Sequence, residues 1–519
     1  MEWKISREKL PITEMILDEV QEQDFAQGLV LPDYDPEIFR VISCEAEPAV
    51  TSWQLQGSRL TYELCVELRV LYCGSESKAI HSVSQTMTYS KALDVPEHCG
   101  KEPMFWFHPR TDYQNCRAAD KRRLDVRGAV SIRIRMGCES CEEVVSRISG
   151  DDIQLKHRQI AVSCDRQSAV KTLSLNEDVP LGSSKPPVHC ILRCSARAVQ
   201  GECSVIAGKL VLRGELIADV LYRSGNDEDT SVETMHMTIC QYSQIVDMEN
   251  IDESCIASAD AQVISFSVKP QTDSNNENRI LSCSAEVRLM CSVSRTRNIS
   301  AVTDAYSVKY PCSCTAEEVK ADIAPIQFTE QFTCSASVET PQSGTDLVYD
   351  LKCRMKNVSI TPVPEKSKIR VCGMLCANVL AKGADGMPAM YEREEAFEEL
   401  LPMNIQAEEI MLFAKAEPAQ CSYHLGADGM VSVKCSVIVS GCLYPSARFT
   451  CLTDVNICGE KELQRDRDCA VRLYYGTAGE SVWDIAKKCC TRVEAVMEEN
   501  ELQGDILTKS GMLLIPITD

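Results

Sequence analysis

The sequence predicts a mainly β protein, with three tandem antiparallel β domains followed by a small βααβ module. Three observations lead there: stretches in which apolar and polar residues alternate one by one, related text that recurs roughly every 150 residues, and a change to helical periodicity near the C-terminus.

At 519 residues the chain exceeds what one hydrophobic core organises, and 44% apolar with 25% charged residues is the composition of folded protein rather than of disorder. The net charge of −22 repels phosphate backbones and anionic lipid, which argues against a nucleic-acid partner. The opening text MEWKISREKLPITEMILDEV scatters its charges and lacks the apolar core of an export signal. No run of about 18 apolar residues suggests a membrane span. The expectation is a protein that stays where it is made, without direct membrane insertion. Of its 29 cysteines, an odd count, most are then expected to be reduced. Cys65, Cys283, Cys291, Cys376, Cys435 and Cys442 stand where a strand pattern wants a small apolar residue.

In the first repeat, LTYELCVELRVLY alternates strictly. Leu60, Tyr62, Leu64, Val66, Leu68 and Val70 share one face, with Glu63, Glu67 and Arg69 on the other, which predicts a half-buried strand. LVLRGELIADVLY sets Val220, Leu221 and Tyr222 against Val70, Leu71 and Tyr72, and IRVCGMLCANVL sets Val379 and Leu380 there. Each copy continues through a polar turn (CGSESK, RSGNDED, KGADGM) into a second extended segment (YSKALDVP, YSQIVDM, FEELLPM), which predicts hairpins. A later strand recurs with Val130, Val287 and Val437 in register. Ahead of the first hairpin, Pro32 and Pro36 in LPDYDPEIF enforce an extended entry, echoed by VPLGSSKPPVHC before the second. Boundaries are expected near 146–153, 296–303 and 455–468, giving domains at 1–150, 151–300 and 301–460 and a tail at 468–519.

In the tail, Val482, Ile485, Ala486 and Cys489 form a helical stripe that Ser481 can cap. Thr491 and Glu494 have the form of a capping box for a second helix carrying Val493, Val496 and Met497. VRLYY before and MLLIPI after are strand-like. Trp483 reads as a partly buried core aromatic ahead of a ligand platform, Gly479 and Gly511 as turn residues needing positive φ, and Asn500 as a helix end as well as a ligand contact.

No catalytic residue, cofactor or metal set emerges. CESC at 138–141 is a lone pair, while CILRC at 190–194 and CSC at 312–314 are spacings that alternation produces by chance in so cysteine-rich a chain. Seven histidines are scattered, none near a serine or cysteine in a recognisable nucleophile context, and no phosphate-binding glycine loop is present. The carboxylate run REEAFEELL, 393–401, reads as a solvated strand face that resists unwanted edge pairing. The protein is expected not to be an enzyme.

The text GESVWDIAKKCCTRVEAVMEENELQGDILTKSGMLLIP, 479–516, resembles a LysM module. The resemblance implies a first loop of Gly479, Glu480, Ser481 and Val482 followed by Trp483, and a second loop of Asn500, Glu501, Leu502 and Gln503. Gly511, Leu514, Ile515 and Pro516 match its closing strand. Such loops more often hold N-acetylglucosamine-containing glycans; here Glu480 and Ser481 replace the usual aspartate and threonine, and ENELQGD adds carboxylates. The repeats resemble SPOCS domains, through LPDYDP, VLY, SVSQTMTYSKALDVP and TDAYSVKY. The order of parts resembles the SipL-like family of clostridial spore-coat morphogenetic proteins. That implies a cytoplasmic scaffold at the forespore surface of the mother cell, whose tail and β domains recruit the coat ATPase SpoIVA and other coat proteins. The alternative implied by the tail alone is binding to peptidoglycan or another N-acetylglucosamine-containing glycan.

Overall fold

The computed structural model describes residues 3–75, 79–97, 103–150, 152–224, 231–340, 348–403, 405, 407–426, 429–463 and 469–517. The first repeat contributes six strands: β1 (Ile5–Val30), β2 (Ile38–Gln56), β3 (Arg59–Gly74), β4 (Ile80–Asp94), β5 (Met104–Asp120) and β6 (Arg123–Ile148). They form two antiparallel sheets in the orders β1-β6-β5 and β2-β3-β4. The alternation of β3 is realised as expected, since Leu60, Tyr62, Leu64, Val66, Leu68 and Val70 are all buried and face the other sheet's core residues. Its hairpin partner is β4, paired from Arg59↔Asp94 to Cys73↔Ile80.

The second repeat copies this plan with β7 (Ile153–Pro180), β8 (Cys190–Ile206), β9 (Lys209–Arg223), β10 (Val232–Val246), β11 (Ile256–Thr272) and β12 (Asn278–Ser307). Its sheets run β7-β12-β11 and β8-β9-β10. The proline-bearing turns before β2 and β8 are clasped alike. Tyr72 and Tyr222 donate their hydroxyls to the carbonyls of Pro36 and Pro186, while Arg122 and Arg279 bond turn carbonyls from the other side. The expected boundary near 296–303 falls inside β12, which keeps pairing with β7 as far as Ser307↔Ile153.

In the third repeat the long first strand is split into β13 (Cys312–Asp322) and β14 (Ile326–Glu339), both paired with β19 (Met430–Ile457). Pro325 lies in the gap, where its missing N–H and fixed φ interrupt a ladder. The rest are β15 (Val348–Val363), β16 (Lys368–Lys382), β17 (Pro388–Pro402) and β18 (Glu409–Leu425), with β15-β16-β17 facing β14-β19-β18. Val130, Val287 and Val437 occupy the central strands β6, β12 and β19 and are fully buried. The carboxylate run lies mostly exposed on the edge strand β17, where Glu394 and Glu398 pair with Lys356 and Arg370.

The three sandwiches are not beads on a string. Strands β6, β12 and β19 pack pairwise against one another. One interdomain cluster joins Leu10 and Val144, Ile160, Val162, Ile299 and Ala301, and Val319, Ala321 and Cys451. Another joins the motif leucines themselves, Leu71, Leu221 and Leu380, with Ile80, Leu192 and Tyr349. Positions aligned by the sequence pattern therefore meet where the three sandwiches join. Two polar knots tie it further, one from Thr13, Arg166 and Asp322, the other from Glu45, Arg193 and Asp350.

The tail is βααβ: β20 (Val471–Gly476), α1 (Val482–Cys489), α2 (Val493–Glu499) and β21 (Gly511–Pro516), the strands pairing antiparallel. Ser481 stands at the N-cap of α1 in extended geometry, without a side-chain cap. The expected capping box is not formed: Arg492 occupies the N-cap of α2, and the buried Thr491 spends its hydroxyl on the carbonyl of Pro516 at 2.7 Å, a tertiary bond that outcompetes the local one. Gly479 has the expected positive φ of +90°, whereas Gly511 opens β21 opposite Gly476 and lies outside that region. No helix among the described residues is long and apolar enough to cross a membrane.

Candidate functional site

The first predicted loop is held by its own residues. Glu480 accepts from the hydroxyl of Tyr474 at 2.6 Å and from the backbone N–H of Thr477, and these bonds keep its carboxyl below the usual range. The backbone of Gly479 donates to Leu507, that of Leu507 to Glu480, and that of Val482 to Asp505, with Ser481 bridged to Ile506. The first loop therefore lies along 505–507, of which sequence reasoning had singled out Asp505 alone.

The second predicted loop is anchored elsewhere. Asn500 donates to the carbonyls of Val496 and Leu514 and accepts from the N–H of Leu514, three bonds of 2.7–2.8 Å that tie the end of α2 to β21. Leu502 packs into the tail core, and Glu501 and Gln503 are exposed. Residues 479–482 thus lie along 505–507, just beyond the second loop, and the Asn500 amide is bonded to the backbone of α2 and β21.

Trp483 is buried at 8% exposure by a neighbour the sequence did not indicate. Its Nε1 donates to Asp304 Oδ2 at 2.8 Å, its ring meets Tyr306 edge-on at 5.1 Å, and Lys487 pairs with Asp304 at 2.6 Å. The hydroxyl of Tyr306 donates to the carbonyl of Thr491 at 2.7 Å. Tyr306 and Val308 join the tail's own core. The text TDAYSVKY is thus the seat of the tail, formed by the end of β12 and the residues after it. Burial works against the Asp304 charge, but the bonds from Lys487 and Trp483 outweigh it and hold its carboxyl below the usual value.

With the helices on one side, the tail sheet leaves its other side open. Val471, Leu473 and Tyr475 alternate on β20 and pair with Pro516, Leu514 and Met512 on β21. Leu473, Tyr475 and Met512 are 64%, 63% and 64% exposed. Contiguous apolar residues of this kind on a two-stranded sheet mark an interaction surface more than chance exposure does.

Cys138 is buried and Cys141 exposed, as three steps along a strand require. Cys190 and Cys194 are separated by a register shift in β8. Cys312 and Cys314 have Sγ atoms 3.7 Å apart, and the Cys314 thiol donates to the carbonyl of Ala305 at 3.2 Å. A metal-capable trio was missed: Cys353, Cys421 and Cys435 bring their Sγ atoms within 4.8 Å of one another. Three strands supply them, so no sequence spacing could have found them.

Among known families, the one described as "SipL, SPOCS domain" matches residues 187–271, which cover β8, β9, β10 and nearly all of β11. The match supports a SipL-like family and a sporulation-related theme. Comparisons with curated proteins and with solved structures gave no match.

Proposed function

We propose that the chain is a non-enzymatic scaffold of spore-coat assembly that recruits a SpoIVA-like ATPase, and with it other coat proteins, to the forespore surface. The observation that carries this reading is the open apolar face of the tail, with Tyr475 and Leu473 at its centre. Aromatic and aliphatic anchors of this kind supply most of the energy of a protein interface. The seat on β12 holds that face in a fixed orientation to the three sandwiches, so tail and sandwiches engage an assembling surface together and gain from effective concentration. The SPOCS match in the second sandwich supports the coat setting.

The test is binding of the full chain to the organism's SpoIVA and, in parallel, to N-acetylglucosamine oligomers, using Leu473→Glu and Met512→Glu variants. Both positions are exposed, so folding is expected to persist. Loss of ATPase binding by tenfold or more in both variants, with no glycan affinity in the parent, supports the reading. Glycan binding without ATPase binding overturns it in favour of a peptidoglycan- or cortex-directed module.

A further inference from the structure

The geometry points to a soft-metal site inside the third sandwich, in which the sulfurs of Cys353, Cys421 and Cys435 hold one zinc-class ion. Cys353 comes from β15 in one sheet, and Cys421 and Cys435 from β18 and β19 in the other. Cys421 and Cys435 are direct cross-strand partners with Sγ atoms 3.5 Å apart, and all three sulfurs lie within 4.8 Å of one another. Zinc–sulfur bonds of about 2.3 Å place the sulfurs of a zinc site roughly 3.8–4.0 Å apart. The trio therefore stands at ligand spacing without rearrangement of the backbone.

Its surroundings select the ion. Cys353 and Cys435 belong to an apolar cluster with Leu375, Ala377, Val431 and Val433, and Cys421 packs against it. Three sulfurs with no carboxylate among them suit a thiophilic d10 cation and not magnesium or calcium.

Binding of one divalent ion then displaces the thiol protons of the three cysteines to solvent and forms three metal–sulfur bonds. A way in exists, because Cys353 lines a cavity of about 1610 Å³ between the first and third sandwiches, whose wall also carries Arg354 and Glu417. Cys334 on β14 is the direct partner of Cys435 on the side of β19 away from Cys421, the nearest further thiol in the same row of the sheet. The ion would clamp β15 to β18 and β19, joining the two sheets of this sandwich. In the first sandwich, on the matching strands β2 and β5, Cys44 and Cys116 meet as a pair of thiols.

The full chain, stripped with chelator under anaerobic reducing conditions, should be titrated with cobalt(II) and then zinc(II). The expected result is one cobalt per chain with intense thiolate-to-metal charge-transfer absorption, displaced by zinc. The band should disappear in Cys421→Ser and Cys435→Ser and persist in Cys372→Ser. Zinc should raise the melting temperature of the parent and leave Cys421→Ser unchanged. If Cys435→Ser fails to fold, Cys421→Ser, at a less buried position, gives the same readout. Absence of a charge-transfer band in the folded parent overturns the site, as does an unchanged band in Cys421→Ser. A Cys421–Cys435 disulfide in the reduced preparation, seen by mass spectrometry, also overturns it.

Discussion

Nε1 of Trp483 donates to Oδ2 of Asp304 at 2.8 Å, so the first helix of the tail is bonded to the end of the longest strand of the second sandwich. The aromatic most suggestive of a ligand platform is instead a docking residue. Its partner lies 179 positions earlier in the chain, and nothing near Trp483 announces it.

Asp304→Ala should therefore loosen the tail without unfolding the sandwiches. It removes the acceptor of a half-buried indole N–H, a loss of about 1–3 kcal/mol. The accompanying pair with Lys487, whose side chain is 42% exposed, adds no more than about 1 kcal/mol. Hydrogen exchange across Val482–Cys489 should quicken, while the amides of β3 and β9 keep their protection. Unchanged exchange in the helix would show that the seat is held by Tyr306 and Val308 alone.

Acid should loosen the same contact. The Asp304 carboxyl is held below its ordinary value of 3.8, so its contribution is fully present above that pH and is lost as pH falls through the lower folded value. Exchange in α1 should rise below about pH 4 in the parent, beyond the intrinsic pH effect. Asp304→Asn should show no such added rise, because it carries no carboxyl to titrate.

Much of the β architecture was legible, because a one-residue alternation such as that of β3 allows only one face to be buried. The hairpins and the βααβ order of the tail followed from the same kind of local periodicity. What local text could not supply was where one sandwich touches the next. The spacing of the repeats puts a boundary near 296–303, yet β12 runs through it: Arg297 and Asn298 are exposed while Ile299, Ala301 and Val302 continue the buried face. The thiol trio escaped for a related reason: Cys353 and Cys421 belong to different sheets, and only sandwich packing unites them.

The motif leucines predict a shared cost. Leu71, Leu221 and Leu380 are each at most 2% exposed and meet in one cluster at the junction of the three sandwiches. Leu→Ala at any of the three should lower stability by about 2–5 kcal/mol, as for other buried leucines. Because they share one cluster, the double variant Leu71→Ala/Leu221→Ala should cost measurably less or more than the sum, by at least about 0.5 kcal/mol. Strict additivity in urea denaturation would mean that the sandwiches unfold independently.

Arg193 offers the sharpest test of the ring. Its guanidinium lies between Asp350 of the third sandwich and Glu45 of the first, all three side chains at most 7% exposed, and Lys352 pairs with Glu45 at 2.7 Å. Burial opposes the Glu45 charge, but Lys352 and Arg193 prevail and its carboxyl is held well below the usual range. Arg193→Met leaves Asp350, among the described residues, with the hydroxyl of Thr234 at 3.0 Å, and an uncompensated buried carboxylate costs about 3–5 kcal/mol. Arg193→Met/Asp350→Leu removes that orphan and should recover part of the loss, because a buried ion pair and a packed apolar pair are close in stability. The contribution of Glu45 is present above its ordinary 4.5 and is lost as pH falls through the lower folded value, so the deficit of Arg193→Met should shrink in acid. Urea midpoints of parent, single and double variants at neutral and acid pH decide the matter. A double variant no more stable than Arg193→Met would show that the charge network, and not the burial of its parts, holds the three sandwiches together.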